Sequence, residues 1–344
     1  MLNYDYETFR KRINAESLLR SDSINPMNEF FVVDNKQAVL NGRLYDMNQT
    51  FHNSLARKFD IPLNYYRRIQ SQEPKLFEKT INTLNKDRKP HLFRKHRVKK
   101  KFRIKNILNG QSSGNLRALL SDRYKIIDNK EILKHLEPKF DKKNFVLLSG
   151  YQDDSIMSCK IRFTNLIGSV KQGDTVYGGI YLRNSEVGRS SLTISALIYR
   201  LVCTNGLMLP NTESIYNTFH LGVKNPVGHL PNYIIPTACL DKVDEVINYL
   251  LSKDAFKNNL QLLRETTFKE VKKVKYDKIK ELFHTTDKEQ EMIKEEFEKE
   301  NDFTIYGLIQ AFTSTARKIK DIQRSLHLEK AGGLIMNTNE KIYA

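Results

Sequence analysis

The chain has 344 residues, with 57 Lys+Arg against 40 Asp+Glu and a formal net charge of +17. That length can bury a core without disulfides or a structural metal. The cysteines Cys159, Cys203 and Cys239 form no short-spaced ligand pair, which points to reduced thiols in a cytoplasmic protein. No run of about 18 apolar residues is present to span a membrane, the polar start from Met1 to Ser23 does not read as a signal peptide, and the charge excess favours polyanionic partners.

The first third reads as helical, with Pro62 and Pro74 marking boundaries where a helix cannot continue in register. Residues 63–70 (LNYYRRIQ) and 75–84 (KLFEKTINTL) place apolar side chains three and four apart, the spacing of one helix face. Tyr65, Tyr66, Arg67 and Arg68 carry base-stacking chemistry. The plainer account, which we prefer, is a helix with two core tyrosines and two exposed arginines.

The charge excess is partly concentrated. Residues 86–105, KDRKPHLFRKHRVKKKFRIK, hold eleven Lys/Arg, two His and one acid, whereas residues 271–300 carry eight Lys against nine Asp/Glu. From Val98 onward the run resembles a strand with one apolar face and cations opposite, suited to a phosphate backbone. A solvated edge strand guarded by lysines is the competing account, but an edge needs only one or two of them. Lys89, Arg94, Lys95, Arg97, Lys99, Lys100, Lys101, Arg103 and Lys105 are therefore the candidate backbone contacts, with Arg123, Tyr124 and Lys125 as a secondary set.

In LRALLSDRYKIIDN, residues 116–129, Ser121-Asp122 suit the cap of a turn, and Asp128-Asn129 suit the cap of a helix beginning near Lys130. Four segments then change to β-branched and aromatic composition: residues 145–148, 156–163, 175–182 and 192–202, punctuated by Gly150, Gly173 and Gly188. They predict an antiparallel sheet, although residues 192–201 also suit a helix. Beyond Pro236 helical spacing returns in Leu240, Val243, Val246, Ile247, Leu250 and Leu251, and again from Ile305 to Ala316, ended by Gly332-Gly333. The fold class expected is α+β, in three regions: a helical 1–85, a basic segment and mostly antiparallel sheet over 86–239, and a helical 240–344, all compatible with one continuous domain.

Several motifs in a fixed order carry a resemblance: IPLNYYRR, P-x-L-F, RALLSDRYKIIDN, YLRNSEVGRSSL, RLVCTNGL, TIYGLIQAFTSTA and a late Leu-Glu-x-Ala-Gly. Together they run from about Leu55 to Gly333, and the chain resembles the phage/plasmid-like protein family, a domain of unknown function carried by bacteriophages, prophages and plasmids. The resemblance implies a mobile-element setting, where replication, recombination and host takeover are the usual tasks. It implies no catalytic residue, and the basic run is not characteristic of it.

Enzyme signatures are weak. The chain has no phosphate loop, no H-E-x-x-H and no nucleophile elbow. His91 and His96 lie in a positive field that opposes metal binding, and the other histidines are isolated. Asp122, Asp128 and Glu186, with Arg123 or Arg200, could hold divalent ions only if they converged. The simpler account makes the aspartates caps and pairs Glu186 with an arginine.

The function expected is non-enzymatic: binding of nucleic acid, single-stranded DNA in particular, in replication or recombination, with strand annealing as one use. No cofactor, catalytic residue, metal or membrane partner is expected, and a homo-oligomer is left open. The alternatives are a metal-dependent enzyme on nucleic acid and a protein that binds a host or phage partner.

Overall fold

A computed structural model describes residues 5–86, 89–97, 113–122, 124, 126–140, 144–201, 205–209, 215–218, 237–338 and 342. Their fold is α+β, with helices and strands in the N-terminal region, a central antiparallel sheet and a helical C-terminal region.

After helix α1 (Tyr6–Ser17) come four short strands, β1 (Arg20–Pro26), β2 (Phe30–Val32), β3 (Gln37–Leu40) and β4 (Arg43–Met47). Helices α2 (Gln49–Lys58), α3 (Leu63–Gln72) and α4 (Pro74–Leu84) follow, the last two set by Pro62 and Pro74 as expected. Strands β5 (Pro90–Arg97) and β6 (Gly114–Ser121) complete sheet one in the order β1-β5-β6-β4-β3-β2. All pairs are antiparallel except β4 with β6. The sheet thus draws strands from both sides of residue 85.

Helices α2–α4 cover one face of this sheet. Phe51, Tyr66 and Phe77 join Phe30, Phe93 and Leu116 in one buried cluster, with the Phe30 and Phe93 ring centroids 5.7 Å apart. Each buried phenylalanine contributes roughly 1.5–3 kcal/mol. Asn48 fixes the start of α2 by accepting the Phe51 N–H at 2.8 Å, an N-cap interaction. β5 lies inside the sheet, so its cations are not edge guards; the stretch from Val98 to Lys105 falls outside the described residues.

One histidine is part of this core. His52 is 2% exposed, and Gln70 donates from Nε2 to its Nε2 at 2.9 Å. The ring proton therefore sits on Nδ1, which donates to Tyr66 Oη at 2.8 Å. Burial pushes the imidazole pKa from 6.5 down to about 4. The unfolded ring takes its proton near pH 6.5 and the folded ring only near 4. Stability is therefore complete above the first value and falls as pH drops toward the second. Urea unfolding at pH 7 and pH 5 should show a loss of about 2 kcal/mol that is absent in His52→Leu, whatever the variant's own stability at pH 7. An equal pH dependence in both proteins would remove His52 as its source.

Helix α5 (Asn129–Leu136) leads into sheet two: β7 (Phe145–Gln152), β8 (Met157–Ser169), β9 (Thr175–Asn184) and β10 (Leu192–Arg200). These match the four expected segments, and residues 192–200 are a strand. The short strands β11 (Asn205–Met208) and β12 (Ile215–Thr218) both pair with β10. Alternation of period two sorts the residues to two faces. Cys159, Ile161, Phe163, Ile180, Leu182, Ile194 and Ile198 enter the main core, and Cys159 is buried with its thiol pKa pushed up to about 12.

The C-terminal helices α6 (Thr237–Leu251), α7 (Lys253–Glu265), α8 (Tyr276–Phe283), α9 (Asp287–Glu300), α10 (Ile305–Lys318) and α11 (Ile322–Ile335) pack largely around that core. The expected stop at Gly332-Gly333 is corrected, because both glycines lie buried within α11, which ends at Ile335 with Met336 as its C-cap. A Cβ on Gly332 would stand 3.3 Å from Phe312 Cβ. These small residues therefore let α11 approach α10 closely and do not break the helix. Among the described residues no helix is long and apolar enough to cross a membrane.

Candidate nucleic-acid interface

The second face of sheet two is polar and aromatic. On β8 it carries Ser158, Lys160 and Arg162, on β9 Tyr177, Tyr181 and Arg183, and on β10 Thr193, Ser195 and Tyr199, each set two residues apart or a multiple of two. Tyr177 and Tyr199 are directly paired across the strands. The Arg162 guanidinium lies 4.7 Å from the Tyr177 centroid and 5.8 Å from that of Tyr199, a cation–π arrangement.

Gly179 stands opposite Arg162 and leaves space for its side chain. No described carboxylate pairs with Arg162, and its Nε is buried without a partner. Arg162, Tyr177 and Tyr199 are all half-buried.

Helix α11 crosses the middle of this face. Leu326 packs on Tyr181, Leu197 and Met208, and Lys160 donates to both oxygens of Glu329, the first at 2.6 Å. Burial raises the Glu329 pKa against the pull of Lys160. The pair pins the helix, leaving Tyr177, Arg162 and Tyr199 toward one end of the strands and Arg183 toward the other.

A buried polar junction joins this sheet to sheet one. Between β5 and β6 the register passes from Arg94↔Ala118 to Lys95↔Leu116, which makes Arg117 the extra residue of a β-bulge. Such a bulge re-aims its side chain. Arg117 is 3% exposed and donates to Glu186 Oε2 and to the Asp154 carbonyl, each at 3.1 Å. Glu186 Oε1 accepts the Asn129 N–H at 2.9 Å, and Asn184 donates to Asn129 Oδ1 at 2.8 Å and to the Ile127 carbonyl at 2.9 Å. This lattice fixes the β9–β10 hairpin and with it the backbone at Arg183 and Arg189.

The junction also resolves the carboxylates. Glu186 is paired with an arginine. Asp128 occupies the N-cap position of α5, yet its side chain makes no capping bond and pairs with Arg20. Asp122 is exposed, and Arg200 is elsewhere, 2.7 Å from Asp174. Among the described residues no group of three His, Cys, Asp or Glu could hold a metal ion.

The expected contact residues are placed unevenly. Lys89 is exposed beside β5, while Arg94 and Arg97 are on that strand, opposite Asp22 and Gly114. Lys95 donates to Ser23 Oγ at 2.9 Å and lies 5.5 Å from the Tyr45 centroid. Lys99, Lys100, Lys101, Arg103, Lys105, Arg123 and Lys125 lie outside the described residues.

Tyr124 is 7% exposed; its hydroxyl donates to the Ser185 carbonyl at 3.0 Å and accepts the Gly188 N–H at 3.1 Å. It braces the hairpin and does not present its ring at the surface. Of the pair in α3, Tyr66 is core and Tyr65 is 53% exposed. The polar face of β8–β10 was missed because each strand was read for its apolar members, although the complementary alternation of Tyr and Arg was available.

Residues 118–331 match the model of a domain of unknown function, DUF932. No curated protein and no solved structure matches the chain.

Proposed function

We propose that this chain, which belongs to the DUF932 family of domains of unknown function, binds single-stranded nucleic acid and catalyses no reaction on it. The observation that carries this reading is Arg162 lying over Tyr177 and Tyr199, without an acid partner among the described residues, on an alternating sheet face. Aromatic faces and guanidinium planes stack unpaired bases without regard to sequence, and nearby cations screen the phosphates. The net charge of +17 supplies the long-range attraction. The phage or plasmid setting implied by the motif resemblance, and work in the host cytoplasm, belong to the same reading. There, a surface that screens phosphates and leaves base edges free would promote annealing of complementary strands.

The test is a titration of labelled single- and double-stranded DNA and RNA at several salt concentrations. Engagement of about four or five phosphates gives a log–log salt slope of roughly −3 to −3.5 on a single strand. Tyr177→Ala with Tyr199→Ala should weaken binding by about tenfold or more at every salt concentration without changing that slope. Neutralising Lys99, Lys100, Lys101 and Arg103 to Gln should make the slope shallower by roughly two units. A flat salt response, or tyrosine variants that bind like the parent, would overturn this assignment.

A further inference from the structure

At the Arg183 end of the sheet, a recess of about 370 Å³ opens between the β7–β8 turn, the β9–β10 hairpin and the start of α11. Its charged lining is Asp153, Arg183, Arg189, Lys320 and Asp321, with Tyr151 beside them. The two acids are already engaged. Asp153 accepts the Ser155 N–H at 2.7 Å, the Ile156 N–H at 2.8 Å, the Ser155 hydroxyl at 2.8 Å and the Tyr151 hydroxyl at 2.5 Å. Burial opposes its charge, but these bonds outweigh burial and hold the carboxyl below its ordinary value. Asp321 caps α11, accepting the Arg324 N–H at 2.9 Å.

The cations are not so engaged. The side chains of Arg183, Arg189 and Lys320 make no hydrogen bond or ion pair with any described residue, and Arg183 Nε is buried without a partner. A fourth cation, Arg57, stands near enough that Arg189, after burial, depresses its pKa. Like charges gathered around a recess, beside acids committed to backbone groups, are relieved by an incoming anion. With Asp153 and Asp321 counted, the three lining cations and Arg57 leave a net charge of about +2, of which a backbone phosphodiester compensates one. A phosphate monoester brings nearly two, with three oxygens for guanidinium forks and an ammonium group. An adjoining opening of about 380 Å³ shares Tyr151, Lys320 and Ile322 with the recess and is walled further by Tyr181 and Leu326. A sugar and base attached to that phosphate have a place there.

We infer that the recess binds the phosphate monoester of a nucleotide, at a strand end or on a free mononucleotide; the strand-end form rests on the nucleic-acid reading, and the free form does not. The experiment titrates the full chain with short single-stranded DNA carrying a 5′-phosphate, a 3′-phosphate or neither, and separately with a deoxynucleoside monophosphate. One phosphorylated strand should bind about tenfold or more tighter than the hydroxyl-ended strand, the range of charge-assisted hydrogen bonds. Arg183→Gln with Arg189→Gln should erase that ratio, with folding checked by circular dichroism. Tyr177→Ala should weaken all strands alike and keep the ratio.

Strong competition by the monophosphate assigns the recess to free nucleotide, and weak competition assigns it to strand ends. Equal affinity for all three strands, together with no monophosphate binding, overturns the inference while the sheet-face reading stands. If no strand binds at all, the nucleic-acid reading fails and the monophosphate titration alone decides the recess. Binding lost in the Arg183→Gln, Arg189→Gln variant upholds it; its absence, or its persistence in that variant, overturns it. Should that variant not fold, Lys320→Gln alone is expected to lower the ratio, and an unchanged ratio overturns the inference.

Discussion

Replacing Arg117 with Met should lower stability by about 3–5 kcal/mol, because it removes the guanidinium that pairs with a buried carboxylate. Arg117 and Glu186 have only 4% and 10% of their side-chain surface exposed, so water cannot compensate either group. Glu186→Gln should cost less, since the amide oxygen can still accept the Asn129 N–H and Arg117 keeps its bond to the Asp154 carbonyl and the nearby negative charge of Glu16. The double variant Arg117→Met/Glu186→Gln should recover part of the loss, with a coupling energy of about 1–3 kcal/mol. Urea midpoints at constant slope read all three. A loss below about 1 kcal/mol for Arg117→Met, or no recovery in the double variant, would show that the bulge places an incidental contact.

Gly179→Ala should be nearly as severe, at about 3 kcal/mol or more. The added Cβ would lie 2.3 Å from the Ile161 carbonyl oxygen and 3.1 Å from Arg162 Cα, both backbone atoms of the neighbouring strand. Neither can move without opening the β8–β9 pairing. Gly178→Ala is the matched control, since its Cβ would first meet Phe256 Cδ2 at 2.8 Å, on a ring that can shift, with Leu166 Cβ next at 3.0 Å and no backbone atom among its nearest contacts. Thermal melts should rank Gly179→Ala well below Gly178→Ala. The reverse order would mean that the strand spacing is set elsewhere.

Much of the fold was legible because it is locally encoded. Pro62 and Pro74 set α3 and α4, and the β-branched runs set β7 to β10 within a few residues of their ends. The strands β1 to β4 were not legible. Segments as short as Phe30–Val32 or as polar as Arg20–Pro26 carry little propensity of their own, and they extend because β5, β6 and one another accept their backbone bonds. The same limit hid Arg117, since a bulge is a property of two strands in register. Gly332 and Gly333 misled for a related reason: the same residue ends one helix and lets another pack closely, and only the neighbour, here Phe312, decides.

The candidate site was partly legible. An arginine partner for Glu186 was expected without its identity, while the Tyr177–Arg162–Tyr199 stack required knowing which side of each strand the core claims. Lys95 and Tyr124 show the opposite case, in which residues chosen for their chemistry are partly or wholly committed to holding the fold.

The strand order of sheet one bears on how the chain is made. β1 pairs Arg20 with His96, and β4 pairs Met47 with Leu116, so neither has its central neighbour when it leaves the ribosome. At about 5–20 residues per second, β4 waits roughly 4–15 s for the end of β6 to be synthesised. For the first part of that interval Phe30 and Phe51 have no Phe93 to close over them, and the edge of β4 that β6 will cover stays open to other chains throughout. Pairing between such distant segments is slow to nucleate. The N-terminal half is therefore the part of a nascent chain most in need of a holding chaperone, and the part most prone to aggregate when synthesis outruns folding.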